Sequence, residues 1–155
     1  RPTSGRAREA IFSILGDVTG ARVLDLFAGS GALGIEALSR GAASAVFAEI
    51  DPGALRAIGE NIAALALSER ASVARADARR ALPRGAYDLV FIDPPYAQAL
   101  ELGPILSASL PPALAPGARV VTESDRRTPL ELALPRSRER RYGDTLIRIH
   151  ELPET

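Results

Sequence analysis

The chain of 155 residues contains no cysteine, no methionine and no tryptophan, and it has a single histidine, His150. Without cysteine it forms no disulfide, no thiolate metal site and no cysteine nucleophile. One histidine is too few for a histidine metal site, and because His150 falls in a β-like run we interpret it as an ordinary strand residue. We therefore expect no metal ion.

Lysine is absent as well, so all 19 basic residues are arginine, and they balance 19 acidic residues to a formal net charge of zero. A neutral chain carries no overall electrostatic footprint for nucleic acid. Clustering still allows a local basic surface, although each cluster is equally compatible with ordinary solvated charge. The clusters are Arg1, Arg6 and Arg8, then Arg126 and Arg127, then Arg136, Arg138, Arg140 and Arg141.

Long apolar runs are also missing, and no signal peptide is visible. Together these absences predict a cytoplasmic protein with no membrane partner. The length predicts one domain over residues 1–155. Because the chain starts at Arg1 and has no methionine, we interpret it as a processed or truncated piece of a longer product.

Short apolar runs alternate with stretches of helical periodicity, which is typical of βαβ units and a parallel sheet. Strands are predicted at 22–27, 44–50, 72–76, 87–92 and 118–123. Helices are predicted from a Ser4 cap to Gly16, over 32–40, from Asp51 onward and over 100–110. Segments 138–142 and 145–152 predict a hairpin that turns at Gly143–Asp144. The fold class is therefore α/β: a Rossmann-like, doubly wound, mostly parallel sheet with a C-terminal antiparallel hairpin, which binds ligands at the carboxyl ends of its strands.

A glycine-rich segment leads from the first strand into a helix. Its Gly29, Gly31 and Gly34 match the dinucleotide fingerprint, in which glycines permit a sharp turn and close approach of a ligand. Glu49 ends the second strand, where an acid would bind ribose hydroxyls. NAD and S-adenosylmethionine both contain an adenosine, so these features favour an adenosine cofactor without choosing between the two.

Two more acids flank this predicted site. Asp25 lies inside an apolar strand, where an unpaired carboxylate is costly. We expect it either to orient the glycine loop or to accept from the ammonium group of a methionine moiety. Asp77 ends the third strand, where it either accepts from an adenine amino group or caps a helix that starts at Ala78.

The segment Asp93-Pro94-Pro95-Tyr96 follows the fourth strand and is the most specific motif in the chain. Two prolines remove two backbone donors and leave carbonyls as acceptors. Asp93 and the Pro94 carbonyl are suited to grip both hydrogens of a flat amine, and Tyr96 is suited to stack on the ring that bears it. Gripping both hydrogens aims the amine lone pair at an electrophilic methyl group.

At these motifs the sequence resembles class I Rossmann-like methyltransferases with a (D/N)PP(Y/F) amino-methylation motif. Within that class it resembles the bacterial small-subunit rRNA guanine-N2-methyltransferase family of the RsmD type. The resemblance covers nearly the whole chain and is strongest from Asp25 to Gly41. It also rests on the twelve residues from Arg1, on Glu49-Ile-Asp, on Asp93-Pro-Pro-Tyr and on Tyr142-Gly-Asp-Thr.

The resemblance implies S-adenosylmethionine as cofactor and ribosomal RNA in the small ribosomal subunit as partner. It implies that a guanine N2 amine is methylated beside Asp93, Pro94, Pro95 and Tyr96. We expect RNA contacts from Arg6 and Arg8, and we expect the family's preceding basic N-terminal segment to be absent. The expected cofactor contacts are Asp25, Phe27, Gly29, Ser30, Gly31, Glu49, Asp77 and Ala78.

Three alternatives remain open on the residues alone. An NAD-dependent oxidoreductase explains the glycine loop and Glu49 but leaves Asp93 to Tyr96 without a use. An adenine-N6 DNA methyltransferase shares the same motif, although 155 residues leave little room for a DNA-recognition domain unless a partner supplies one. A binding module without activity is compatible with the fold, but the presence of both Asp93 and Tyr96 argues against it.

Overall fold

Seven strands and four α-helices make up the described residues, 4–155, of the computed structural model; Arg1 of the first arginine cluster lies outside them. The helices are α1 (Gly5–Leu15), α2 (Ala32–Ser39), α3 (Pro52–Ala64) and α4 (Ala99–Ser109). The strands are β1 (Arg22–Leu26), β2 (Ser44–Glu49), β3 (Ala71–Arg75), β4 (Tyr87–Ile92), β5 (Leu114–Asp125), β6 (Arg136–Tyr142) and β7 (Thr145–Glu151).

All seven strands form one sheet in the order β3-β2-β1-β4-β5-β7-β6. The first five strands are parallel, β7 runs antiparallel to β5, and β6 closes a hairpin with β7. This confirms the predicted doubly wound sheet with an antiparallel end. The strand order reverses between β1 and β4, so the cleft for a ligand is expected at their carboxyl ends.

Local capping explains where the helices begin. The Ser4 hydroxyl accepts from the Ala7 backbone N–H at 3.1 Å, and α1 ends at Gly16, which has φ +66°. In α3 the Asp51 carboxylate accepts from the Ala54 N–H at 2.9 Å. Caps of this kind satisfy backbone donors that the first turn leaves free, which is why the sequence signals predicted both starts correctly.

The start of β5 was predicted wrongly. The strand begins at Leu114 rather than Ala118, and it runs through Pro116 and Gly117. Its pairing with β4 shifts register between Tyr87 and Leu89, so this stretch forms an irregular pairing rather than a break. Proline and glycine are tolerated in a strand at such irregularities, which is how the strand extends through residues that are uncommon inside regular strands.

An apolar core packs on each face of the sheet. On one face α1, α2 and α3 pack around Phe12, Phe47 and Phe91, all almost completely buried. On the other face α4 packs its Leu102 and Leu106 against the strands. His150 is a buried strand residue of β7 and its Nδ1 lies 3.2 Å from the Leu134 carbonyl oxygen. None of the helices among residues 4–155 is long and apolar enough to cross a bilayer.

Helix α2 approaches β2 closely at Gly34. A methyl group there would overlap the buried Phe47 ring, with its Cζ at 2.8 Å, and would lie 3.2 Å from Asp25 Oδ2. We expect Gly34→Ala to lower the free energy of unfolding in urea by about 1–3 kcal/mol through overpacking. Gly59→Ala in α3 is the matched control, because its methyl group meets no atom within 4 Å. The control is expected to stabilise by up to ~1 kcal/mol, and equal effects of the two changes would contradict this account.

Candidate active site

A cavity of about 360 Å³ opens at the carboxyl ends of β1 to β4. A second cavity of about 370 Å³ adjoins it and shares Phe27, Gly29 and Asp93. The first brings together Phe27, Gly29, Glu49, Asp77, Ala78 and the four residues from Asp93 to Tyr96, and the second adds Asp25 and Ser30. Segments far apart in the chain therefore meet where the sequence pattern predicted one site.

The loop between β1 and α2 turns through three residues with positive φ. Gly29 (+58°) and Gly31 (+84°) accept this conformation readily, but Phe27 (+56°) has a side chain that disfavours it. Gly31 lines neither cavity; it is buried just before α2, where an added methyl group would lie 3.3 Å from the Phe47 ring. The sequence predicted the glycine turns, whereas the strained backbone of Phe27 gave no sequence signal.

Glu49 clamps the loop to the turn after β2. Its Oε1 accepts from the Gly29 N–H at 2.9 Å, and its Oε2 accepts from the N–H groups of Ile50 and Asp51, each at 2.9 Å. A carboxylate has about four lone-pair positions, so these contacts leave acceptor capacity toward the cavity that Glu49 lines. The acid expected to meet a ribose thus also fixes the loop beside it.

Asp25 lies beneath the loop with only 2% of its surface exposed. Its Oδ2 accepts from the Gly34 N–H at 3.0 Å, which is the loop-orienting contact predicted as one of its two roles. Burial raises the pKa of the Asp25 carboxyl to about 8, the Gly34 N–H opposes this shift, and the negative charge of Glu49 adds to it.

Asp77 supports a turn rather than a helix. Its Oδ1 accepts from the Arg79 N–H at 3.0 Å, and the Arg79 guanidinium lies 3.3 Å from both of its oxygens. The Arg79 hydrogen bonds hold the pKa of Asp77 below its usual range. No α-helix begins at Ala78, so the helix-cap alternative is corrected to a cap on a turn at 78–80, while Asp77 itself lines the cavity.

Asp93, Pro94 and Pro95 follow β4 along the cavity wall, and Tyr96 begins a single 3-10 turn. The Pro95 carbonyl accepts from the Gln98 N–H at 3.0 Å. The Pro94 carbonyl, in contrast, accepts no hydrogen bond from any of residues 4–155, although Pro94 is buried. A carbonyl that no residue of 4–155 engages, in a residue that lines the cavity, is free to accept from a ligand donor. Tyr96, at 37% exposure, stands at the rim.

Neither of the two arginines predicted to contact RNA lines the cavity. Arg8 Nε lies 3.8 Å from Glu36 Oε1, and the Arg6 guanidinium carbon lies 5.6 Å from the centroid of the Tyr142 ring. Tyr142 pairs with Thr145, which in turn pairs with Asp125 at the carboxyl end of β5. Arg6 is therefore on the same edge of the sheet as the cavity.

The sequence reasoning missed five residues that line the first cavity: Ala48, Ile50, Ala76, Arg79 and Gln98. Ile50 is 49% exposed although it is apolar, and its position directly after the acid Glu49 is the signal that would have found it. Gln98 ends the single turn that starts at Tyr96. Within residues 4–155 no group of three or more histidine, aspartate or glutamate side chains is arranged to hold a metal ion.

The sheet order, the glycine loop and the position of the Asp93 motif define the class I Rossmann-like methyltransferase fold. A solved putative methyltransferase from Escherichia coli superposes with a TM-score of 0.86 at 32% identity, over 100% of this chain and 89% of that one. An RNA methyltransferase from Salinibacter ruber in complex with S-adenosyl-L-homocysteine has the same fold, with a TM-score of 0.72 at 21% identity over 100% and 95% of the two chains.

Within that class, the profile of the family described as "Conserved hypothetical protein 95" matches residues 1–151, and the chain belongs to this family of RsmD-type methyltransferases. A putative rRNA methyltransferase of Bacillus subtilis is 36% identical over 97% of this chain and 87% of its own length. The Escherichia coli ribosomal RNA small subunit methyltransferase D is 42% identical over 64% of this chain, a region that spans 52% of that enzyme.

The raised pKa of Asp25 predicts a pH dependence of stability. The folded state keeps a proton up to about pH 8 that the unfolded state loses near the ordinary value of 3.8, so this group destabilises the fold progressively as pH rises between them. Asp25→Asn retains an acceptor oxygen for the Gly34 N–H and removes the titration. We expect its thermal midpoint, relative to wild type, to increase from pH 4 to pH 8 and then level off.

Asp88→Asn provides a control of opposite sign. The hydrogen bonds from Arg22 hold the pKa of Asp88 below its usual range, so its contribution is present at neutral pH and is lost on acidification. The Asp88→Asn midpoint is therefore expected to fall below wild type at neutral pH and to approach it near pH 3. A constant difference between Asp25→Asn and wild type across pH 4–8 would refute the assignment.

Proposed function

We propose that this chain transfers a methyl group from S-adenosylmethionine to the exocyclic N2 amine of a guanine in small-subunit ribosomal RNA. The observation that carries the proposal is that Pro94, whose carbonyl accepts no hydrogen bond from residues 4–155, lines the same cavity as Asp93. An amine offers two N–H donors, and Asp93 and the Pro94 carbonyl supply one acceptor each on the same cavity wall.

The residues of the cavity suit the proposed cofactor. Glu49 and Asp77 present carboxylate oxygens that suit the hydroxyls and amino group of an adenosine, and the exposed apolar side chain of Ile50 suits the face of its ring. When bound, S-adenosylmethionine supplies an electrophilic methyl group. Support comes from the Salinibacter ruber structure, because the S-adenosyl-L-homocysteine it contains differs from the cofactor by that methyl group.

The Asp93 motif compensates for the weak nucleophilicity of an aromatic amine. The lone pair of an aromatic amine is delocalised into the ring, which makes the nitrogen a weak nucleophile. Asp93 and the Pro94 carbonyl orient the amine by accepting both hydrogens, and this fixed geometry lowers the entropic part of the barrier. The amine becomes acidic only late in the reaction, so Asp93 takes its proton without needing to be a strong base.

The identity of the base rests on the relatives and on Tyr96. Two relatives are named as rRNA methyltransferases, and one of these names specifies the small subunit. An amine inside a duplex is shielded, so the guanine must be splayed out of its helix to reach the cavity, and the rim position of Tyr96 suits stacking on such a base. Arg6, at the carboxyl edge of the sheet, and Arg8 remain the proposed RNA contacts outside the cavity.

The substrate assignment predicts one methylated nucleoside. Labelled S-adenosylmethionine is supplied with small subunits that lack the modification, with naked small-subunit rRNA and with duplex DNA, and the products are digested and identified by mass spectrometry. We expect N2-methylguanosine from an RNA substrate and no labelled deoxynucleoside, because the relatives are named for ribosomal RNA. N6-methyladenine in DNA, with no label in subunits, would establish the DNA-enzyme alternative instead.

The Asp93 motif predicts variants that lose turnover but keep their affinity for S-adenosylmethionine. Asp93→Ala is expected to lower turnover by about 10²–10⁴-fold, the typical range for a positioned acid–base group. Calorimetric affinity for S-adenosylmethionine should stay within a few-fold of wild type. Tyr96→Phe should be mild and Tyr96→Ala should cost about 1–3 kcal/mol in kcat/KM, because stacking needs the ring rather than the hydroxyl. Full turnover in Asp93→Ala on a competent substrate would show that the motif does not hold the amine.

A further inference from the structure

The edge strand β6 carries arginines on both faces, and the two faces differ in their surroundings. Arg138 pairs with Ile149 and Arg140 pairs with Ile147, and both isoleucines belong to the core on the α1 side. Directly paired residues of neighbouring strands point to the same face. Arg138 and Arg140 therefore project on the α1 side of the sheet, where Tyr142 packs against the same core.

The charges on this face are not neutralised. Within residues 4–155 neither Arg138 nor Arg140 forms an ion pair, and the one contact made by the Arg140 guanidinium is to the Glu139 backbone carbonyl at 2.9 Å. Arg6 adds a third guanidinium, stacked 5.6 Å from the Tyr142 ring centroid. We call Arg6, Arg138, Arg140 and Tyr142 the β6 arginine face.

The opposite face of the same strand is partly compensated. Glu139 Oε1 lies 2.8 Å from the Arg148 Nε and 3.3 Å from the Arg136 Nη1. Arg148 also contacts Glu131 at 3.1 Å. On this side Arg136 and Arg148 are ion-paired, whereas Arg141, which pairs with Leu146, forms no ion pair within residues 4–155. The α1 side differs because neither of its two β6 arginines is ion-paired within those residues.

The position of the β6 arginine face relates it to the cavity. Its Tyr142 end lies at the carboxyl edge of the sheet, since Tyr142 pairs with Thr145 and Thr145 pairs with the last residue of β5. Three strand spacings separate β6 from β4, a distance of roughly 14 Å. Arg138 and Arg140 are two residues apart on a strand, about 6.6 Å, which suits successive phosphates of an extended nucleotide chain.

We propose that the β6 arginine face binds the phosphodiester backbone of the RNA strand that delivers the target base to the cavity. The inference rests on the proposed function for its substrate and adds a surface that the motifs did not identify. Guanidinium groups bind phosphate by paired, charge-assisted hydrogen bonds. Backbone contacts position a nucleic acid without reading its sequence, so this face sets the register of the strand while the cavity selects the base.

The test compares two double variants of one strand. Arg138→Gln with Arg140→Gln removes two charges from the β6 arginine face, and Arg136→Gln with Arg141→Gln removes two from the opposite side. Binding of a short fluorescein-labelled oligouridine is measured by anisotropy over a range of salt concentrations. The first variant should lower the slope of log K against log salt by about 0.7 for each lost phosphate contact, about 1.4 in total, while the control keeps the wild-type slope.

If the slope fell equally in both variants, binding would depend on overall charge and the proposal would be overturned. An unchanged slope in the first variant would overturn it outright. Loss of subunit methylation without loss of oligouridine binding would also overturn it, since the face would then contact a ribosomal protein. Both variants should bind S-adenosylmethionine and melt as wild type does. Failure of the proposed function is read separately, from the absence of N2-methylguanosine with wild-type protein.

Discussion

Two carboxylates hold the backbone of the glycine loop, and the geometry of the whole cavity depends on that hold. Asp25 accepts from the Gly34 N–H beneath the loop, and Glu49 accepts from the Gly29 N–H beside it. Asp25 comes from β1 and Glu49 from the adjacent β2, so the parallel register of the sheet sets the loop's position. The same clamp joins the loop to the turn that starts α3, through Ile50 and Asp51.

Close packing of α2 against the sheet allows the Asp25 contact, and the burial of Asp25 costs stability. Gly34 brings α2 so near to Phe47 that the helix N–H reaches the Asp25 carboxylate. The resulting burial disfavours the charged form of Asp25, and the nearby charge of Glu49 disfavours it further. The site therefore keeps a buried Asp25 carboxyl, protonated in the folded state up to about pH 8, in order to fix its backbone, a trade between stability and preorganisation that is common where ligands bind.

Sequence alone predicted the elements and most of the site because both depend on local signals. Caps at Ser4 and Asp51, alternating apolar runs and the strand–glycine–helix context all act within a few residues. The rest depends on distant pairings. Nothing local indicates that Glu49 binds Gly29, that Arg8 meets Glu36, or that the Pro94 carbonyl accepts no hydrogen bond from residues 4–155 while the Pro95 carbonyl accepts one.

The arginines of β6 also bear on how copies of this protein meet one another. An outermost strand exposes a row of backbone donors and acceptors that invites pairing with the same strand of another molecule. With Arg136, Arg138, Arg140 and Arg141 along β6, two such edges would bring like charges together. Repulsion between these side chains therefore disfavours self-association and fibre-like stacking through the edge strand. The same positive charge attracts polyanions.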